Sequence, residues 1–141
     1  MIHTSDSLSL DIYAEEIISH YEHPHNKGRM DNADAQYHDQ NPLCGDDITI
    51  YIKVSDGRVS EAKFDGIGCA ISVGSASMLT DMLKGKALED VEKMDAHTVI
   101  EMLGIDPGPA RLKCATLSLK AAQKAIFVFE KKDAGEAGKR L

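Results

Sequence analysis

The chain has 141 residues, enough for one domain around one core, and its 43% apolar content is ordinary for a globular protein. No stretch approaches the roughly 18 uninterrupted apolar residues of a membrane-spanning helix, which argues against a membrane protein. The formal charge of −7 argues against nucleic-acid binding, which needs a basic face to displace counterions.

The opening run Met1-Ile2-His3-Thr4-Ser5-Asp6-Ser7 has neither the basic head nor the apolar stretch of a secretory signal. The expected location is therefore cytoplasmic, where thiols stay reduced. A first helix is expected from about Leu10 to Tyr21, because Leu10, Tyr13, Ile17 and Tyr21 recur at helical spacing. Pro24 and Gly28 bound it, and His25 to Gly45 read as a loop with some extended structure. Ile48, Ile50, Ile52 and Val54 alternate with Thr49, Tyr51 and Lys53, the pattern of a half-buried strand. Asp56-Gly57 then signals a tight hairpin, with a returning strand over roughly Arg58 to Asp65. Ala70 to Leu83 reads as a helix rich in small residues, which suits close packing on a neighbour. Short helices follow at Leu88 to Met94 and His97 to Leu103. After Pro107-Gly108-Pro109 a long helix is expected from Ala110 to Glu130, with Leu112, Ala115, Leu119, Ala122, Ile126 and Phe129 on its apolar face. Asp133 to Leu141 are polar and are expected to fray or be disordered. No linker divides the chain, so residues 1–141 are read as a single domain.

Three cysteines stand in three different elements: Cys44 before the first strand of the hairpin, Cys69 after the second, and Cys114 near the start of the last helix. An odd number of thiols cannot all pair within one chain. The hairpin folds back on itself, so the ends that carry Cys44 and Cys69 meet. Three thiolates and the carboxylate of Asp46 would make a four-coordinate set for zinc or iron. Two of the cysteines lie at helix starts, where unpaired N–H groups favour anions. Gly45, Gly66 and Gly68 let backbone approach a ligand closely. No Cys-x-x-Cys pair is present, so spacing alone leaves inert buried cysteines as the alternative.

The motifs narrow this choice. His20-Tyr21-Glu22-His23-Pro24-His25-Asn26 with Gly28, Asn41-Pro42-Leu43-Cys44-Gly45-Asp46, Gly66-Ile67-Gly68-Cys69-Ala70-Ile71-Ser72 and Lys113-Cys114-Ala115-Thr116-Leu117 occur in an order that resembles the U-type iron–sulfur scaffold family, from about Tyr13 to Phe129. That family comprises IscU, SufU and the N-terminal domain of NifU. The resemblance implies an α+β fold of the SufE/NifU-like kind, a small antiparallel sheet of about three strands with several helices on one face. It implies a site of Cys44, Asp46, Cys69 and Cys114 at one end of the domain. It implies an assembly scaffold rather than an enzyme. A cysteine desulfurase would supply sulfur, iron would join it, and a transient [2Fe–2S] cluster would pass to acceptor proteins. One chain can complete the ligand set, and a homodimer can share a cluster; the sequence leaves both open.

The chain departs from each subgroup. IscU proteins usually carry a His before the third Cys, where this chain has Lys113, and a chaperone-read Leu-Pro-Pro-Val-Lys stretch, where it has Asp106-Pro107-Gly108-Pro109-Ala110-Arg111-Leu112. SufU proteins usually carry an insertion between the second and third Cys, whereas 44 residues separate Cys69 from Cys114. The alternative function is therefore a SufU-like, zinc-dependent sulfur acceptor that stimulates the desulfurase. Lys113 is either a charge that stabilises a neighbouring thiolate, persulfide or cluster, or a solvated lysine on a helix. His20, His23 and His25 look like a metal group by composition, but are expected to end the first helix and start a turn. His38 and His97 are isolated and carry no assigned role. The methionines, including Met78, Met82 and Met102, fit core packing.

Overall fold

The computed structural model describes residues 2–42 and 45–140, with side chains described for 12–42 and 45–131. The elements are α1 (Ile2–Glu22), β1 (Ala35–Asn41), β2 (Asp46–Ser55), β3 (Arg58–Ile67), α2 (Ala70–Leu83), α3 (Leu88–Glu92), α4 (Ala96–Leu103) and α5 (Pro109–Arg140). The strands form one antiparallel sheet in the order β1-β2-β3, and helices pack on one face of it. This is the expected α+β architecture.

The hairpin follows from local chemistry. Asp56 and Gly57 both have positive φ, at 54° and 73°. That pair of left-handed residues matches the right-handed twist of the strands it joins. Ser55 then pairs with Arg58, and Val54 with Val59. Lys53, however, pairs with Glu61, so β3 carries one extra residue, Ser60, and the ladder bulges. The Ser60 hydroxyl donates to the Lys53 carbonyl at 3.2 Å. Beyond the bulge, Ala62 faces Ile52 and Phe64 faces Ile50.

Ile48, Ile50, Ile52, Ala62 and Phe64 are almost wholly buried, as are Val73, Leu79 and Leu83 of α2 and Leu119, Ala122 and Ile126 of α5. Each large side chain removed from water in this way contributes about 1.5–3 kcal/mol. Met78 joins this core and Met102 packs against it.

Two expectations need correction, and one is sharpened. Residues 35–41 form β1, an edge strand, within the stretch expected to be a loop with some extended structure. Its sequence Ala-Gln-Tyr-His-Asp-Gln-Asn lacks apolar alternation, and only Ala35 and Asn41 are buried. Both terminal helices are longer than their apolar periodicity indicates, because polar residues extend them. Tyr13 and Tyr21 are 40% and 43% exposed, so Ile17 alone carries the expected burial of α1 among its described positions. Ile17 lies over Gly74 of α2, where an added Cβ would sit 2.9 Å from the Ile17 carbonyl oxygen. The small residues of α2 therefore admit α1, as their composition suggests.

Candidate metal centre

Asp46 is the first residue of β2 and pairs with Asn41, the last of β1. The β2–β3 ladder ends where Asp47 faces Ile67. The chain leaving β3 therefore delivers Gly68 and Cys69 beside Asp46. The Cys69 N–H donates to Asp46 Oδ1 at 3.1 Å, and the Ser72 hydroxyl donates to the same oxygen at 3.0 Å. Cys69 is the N-cap of α2, and its Sγ accepts the Ser72 N–H at 3.5 Å. Gly68 permits this closeness: a Cβ there would lie 2.2 Å from Ser72 Oγ and 2.8 Å from Asp46 Oδ1.

Cys114 reaches the same place from the opposite side. Pro109 opens α5, a position where its missing N–H costs nothing. Cys114 follows in the second turn, is 2% exposed, and has Asn41 Nδ2 3.9 Å from its Sγ. Ligand atoms of Asp46, Cys69 and Cys114 all lie within 4.8 Å of one another. Cys69 is exposed, whereas Asp46 and Cys114 are buried. Cys44 lies outside the described residues, together with Leu43.

The second oxygen of Asp46 is the distinctive atom. Asp46 is 1% exposed, and its Oδ2 is buried with no hydrogen-bond partner among the described residues. A buried carboxylate oxygen without a donor carries an uncompensated desolvation cost. A cation between Asp46 and the thiols would remove that cost. Two sulfurs and a carboxylate oxygen suit zinc or iron by donor chemistry.

Two residues that support the site, Asn41 and Ser72, were not singled out from sequence. Both stand inside the motifs around Cys44 and Cys69, which was the available signal. Lys113 is exposed, and it lines a cavity of about 220 Å³ with Asp39, Gln40, Asn41 and Leu117. His20 and His25 do stand at the end of α1 and the start of the following turn, as expected. They also meet Asp81 of α2 in a second group of possible metal donors, and His23 is exposed outside it. His38 and His97 pair with Asp47 and Glu101 on the surface.

The family model described as the NifU-like N-terminal domain matches residues 12–136. The iron–sulfur cluster assembly scaffold protein IscU 1 of Archaeoglobus fulgidus is 37% identical over 122 residues, covering 86% of this chain and 79% of that protein. The zinc-dependent sulfurtransferase SufU of Bacillus subtilis is 36% identical over 132 residues, covering 82% of this chain and 89% of that protein. Among solved structures, an iron–sulfur cluster assembly scaffold protein for the SUF system from Fervidobacterium islandicum superposes with a TM-score of 0.62. It is 27% identical and covers 82% of this chain and 96% of that one. Among the described residues, no helix is long and apolar enough to cross a membrane.

Proposed function

This chain belongs to the IscU/SufU/NifU N-terminal domain family of iron–sulfur scaffold proteins, and from that premise we propose that it builds a [2Fe–2S] cluster as cargo. Sulfur comes from a cysteine desulfurase as a persulfide, a two-electron donor reduces it to sulfide, iron joins it, and the finished cluster leaves for acceptor proteins. The whole chain acts as one scaffold domain. Cys44, Asp46, Cys69 and Cys114 are the proposed ligands.

The observation that carries this reading is Asp46 Oδ2, buried beside two thiols and without a partner among the described residues. A protein without a ligand for that place would gain by burying an apolar side chain there instead. The donor types also suit release. Thiolates hold iron firmly, while a carboxylate is a harder and weaker partner for a reduced cluster. Of the two described cysteines, Cys69 is the exposed one and is open to an incoming sulfur donor. Asp46 receives two hydrogen bonds on one oxygen, so its other oxygen is held in place toward the cargo.

The test is anaerobic reconstitution of the chain with iron, sulfide and reductant. Visible charge-transfer absorption should develop and should vanish when the cysteines are replaced by serine. No absorption, or absorption that survives replacement of all three cysteines, overturns the proposal. Iron per chain separates a cluster held by one chain from one shared by two.

The same donors would hold zinc, and the similarity to a zinc-dependent sulfurtransferase favours that as the second reading. The sulfurtransferase alignment is longer than the stretch of this chain it takes in, so that relative carries residues this chain lacks. Stoichiometric zinc in the purified chain, with faster desulfurase turnover in its presence, would select the second reading. A site thiolate would then leave the metal to accept sulfur.

A further inference from the structure

We propose that His20, His25 and Asp81 form a second metal site, which takes a divalent first-row transition ion through two imidazoles and a carboxylate. It is separate from the thiol site and does not rest on the scaffold reading. Asp81 follows Cys69 by twelve positions along α2, about 18 Å of helix.

The three groups come from α1, the loop after it, and α2. One ligand atom from each lies within 4.8 Å of the others, and the two imidazole ring centres are 4.4 Å apart. The surroundings hold them in place. Ser77 is fully buried one helical turn before Asp81, and its Oγ lies 2.7 Å from His20 Nδ1. The same oxygen accepts the backbone N–H of His25 at 2.7 Å. One hydroxyl thus fixes the ring of His20 and the backbone position of His25. Asn26 has left-handed backbone, with φ of 58°. Its side-chain amide donates to Asp81 Oδ1 at 2.8 Å and to Thr80 Oγ1 at 3.0 Å. That contact turns Asp81 Oδ2 toward His25 Nδ1, 2.6 Å away. Metal-binding histidines are oriented in this manner, with the other ring nitrogen hydrogen-bonded to a neighbour.

Two features oppose a cation. Lys84 donates to Asn26 Oδ1 of the side-chain amide, and His25 and Asp81 must part to about 3.3 Å to ligate one ion. The site is consequently weaker than one with thiolates. Two nitrogens and one oxygen select zinc, cobalt, nickel or ferrous ions over magnesium or calcium. A fourth position stays open to water.

The experiment is a calorimetric titration of the full chain with Zn²⁺, without oxygen, beside His25→Ala and Asp81→Asn. Both substituted residues are exposed, and circular dichroism confirms that each variant folds. The unaltered chain should take up one more equivalent of zinc than either variant, or bind that equivalent at least tenfold more tightly. The thiol-site equivalent should be the same in all three. A Co²⁺ titration should show a class of bound cobalt without thiolate charge-transfer absorption, and His25→Ala should lose it. Equal zinc stoichiometry and affinity in all three proteins would overturn the proposal and leave His25–Asp81 as an ion pair. Failure of the scaffold reading would instead show as loss of the thiol class.

Discussion

At one end of α2, Cys69 and Cys114 stand beside an aspartate whose Oδ2 has no partner among the described residues. At the other end, both oxygens of Asp81 are already engaged, by His25 and by Asn26. Each group contains one carboxylate and two side chains that bind metals, yet they stand on opposite terms. The thiol end bears a cost until something fills it. The imidazole end is satisfied alone, and an ion must displace a hydrogen bond to enter. Tight, ligand-dependent stability is expected at the first, and weak, rapidly exchanging binding at the second.

The most damaging way to test this contrast is Gly68→Ala. The new Cβ would collide with Ser72 Oγ and Asp46 Oδ1. The metal-free chain should lose about 1–3 kcal/mol in denaturant titration, the usual cost of overpacking. Zinc uptake should fall at the thiol end and persist at the imidazole end. Unchanged stability and uptake would mean that Gly68 does not shape the site.

Ser72→Ala is a finer probe. It removes one of the two donors to Asp46 Oδ1 and should destabilise the metal-free chain by about 1–2 kcal/mol. With zinc bound, the penalty should shrink, because the cation then compensates the carboxylate. An equal penalty in both states, measured by thermal melts with and without zinc, would break the link between Asp46 and metal.

The smallest effect is the acid response of the imidazole end. His20 titrates below 6.5, so its contribution to stability is complete above that pH. As pH falls below 6.5 the unfolded chain takes up the proton first, and stability declines. Asp81 titrates below 3.8, so its contribution is complete above that pH and is lost as pH falls through the folded value. Metal-free stability should therefore drop in two stages on acidification. Asp81→Asn should lack the lower one in a pH series of denaturant titrations.

The parts legible in the sequence were those governed by near neighbours. Asp56-Gly57 dictated the turn, Ile48, Ile50 and Ile52 dictated the strand, and the cysteine motifs indicated Asp46, Cys69 and Cys114. The edge strand was hidden because β1 is paired on one side only and presents mostly polar residues. Tyr13 and Tyr21 kept helical spacing without burial, since α2 covers only the strip of α1 around Ile17. Asn41 and Ser72 act through hydrogen bonds that no spacing rule encodes. His20 and His25 were visible as composition, but Asp81 lies 56 residues beyond His25, and only the packing of α1 on α2 brings them together.

The extra residue in β3 has an effect well beyond the turn where it sits. The bulge absorbs Ser60 without lengthening the ladder, so Val59 and Ala62, three residues apart, are both buried. Were Ser60 paired regularly with β2 instead, Ala62 and Phe64 would turn to the opposite side of the sheet, and Cys69 would leave the ladder one residue out of step with Asp46. The register of the thiol pocket is thus kept by an irregularity far from it.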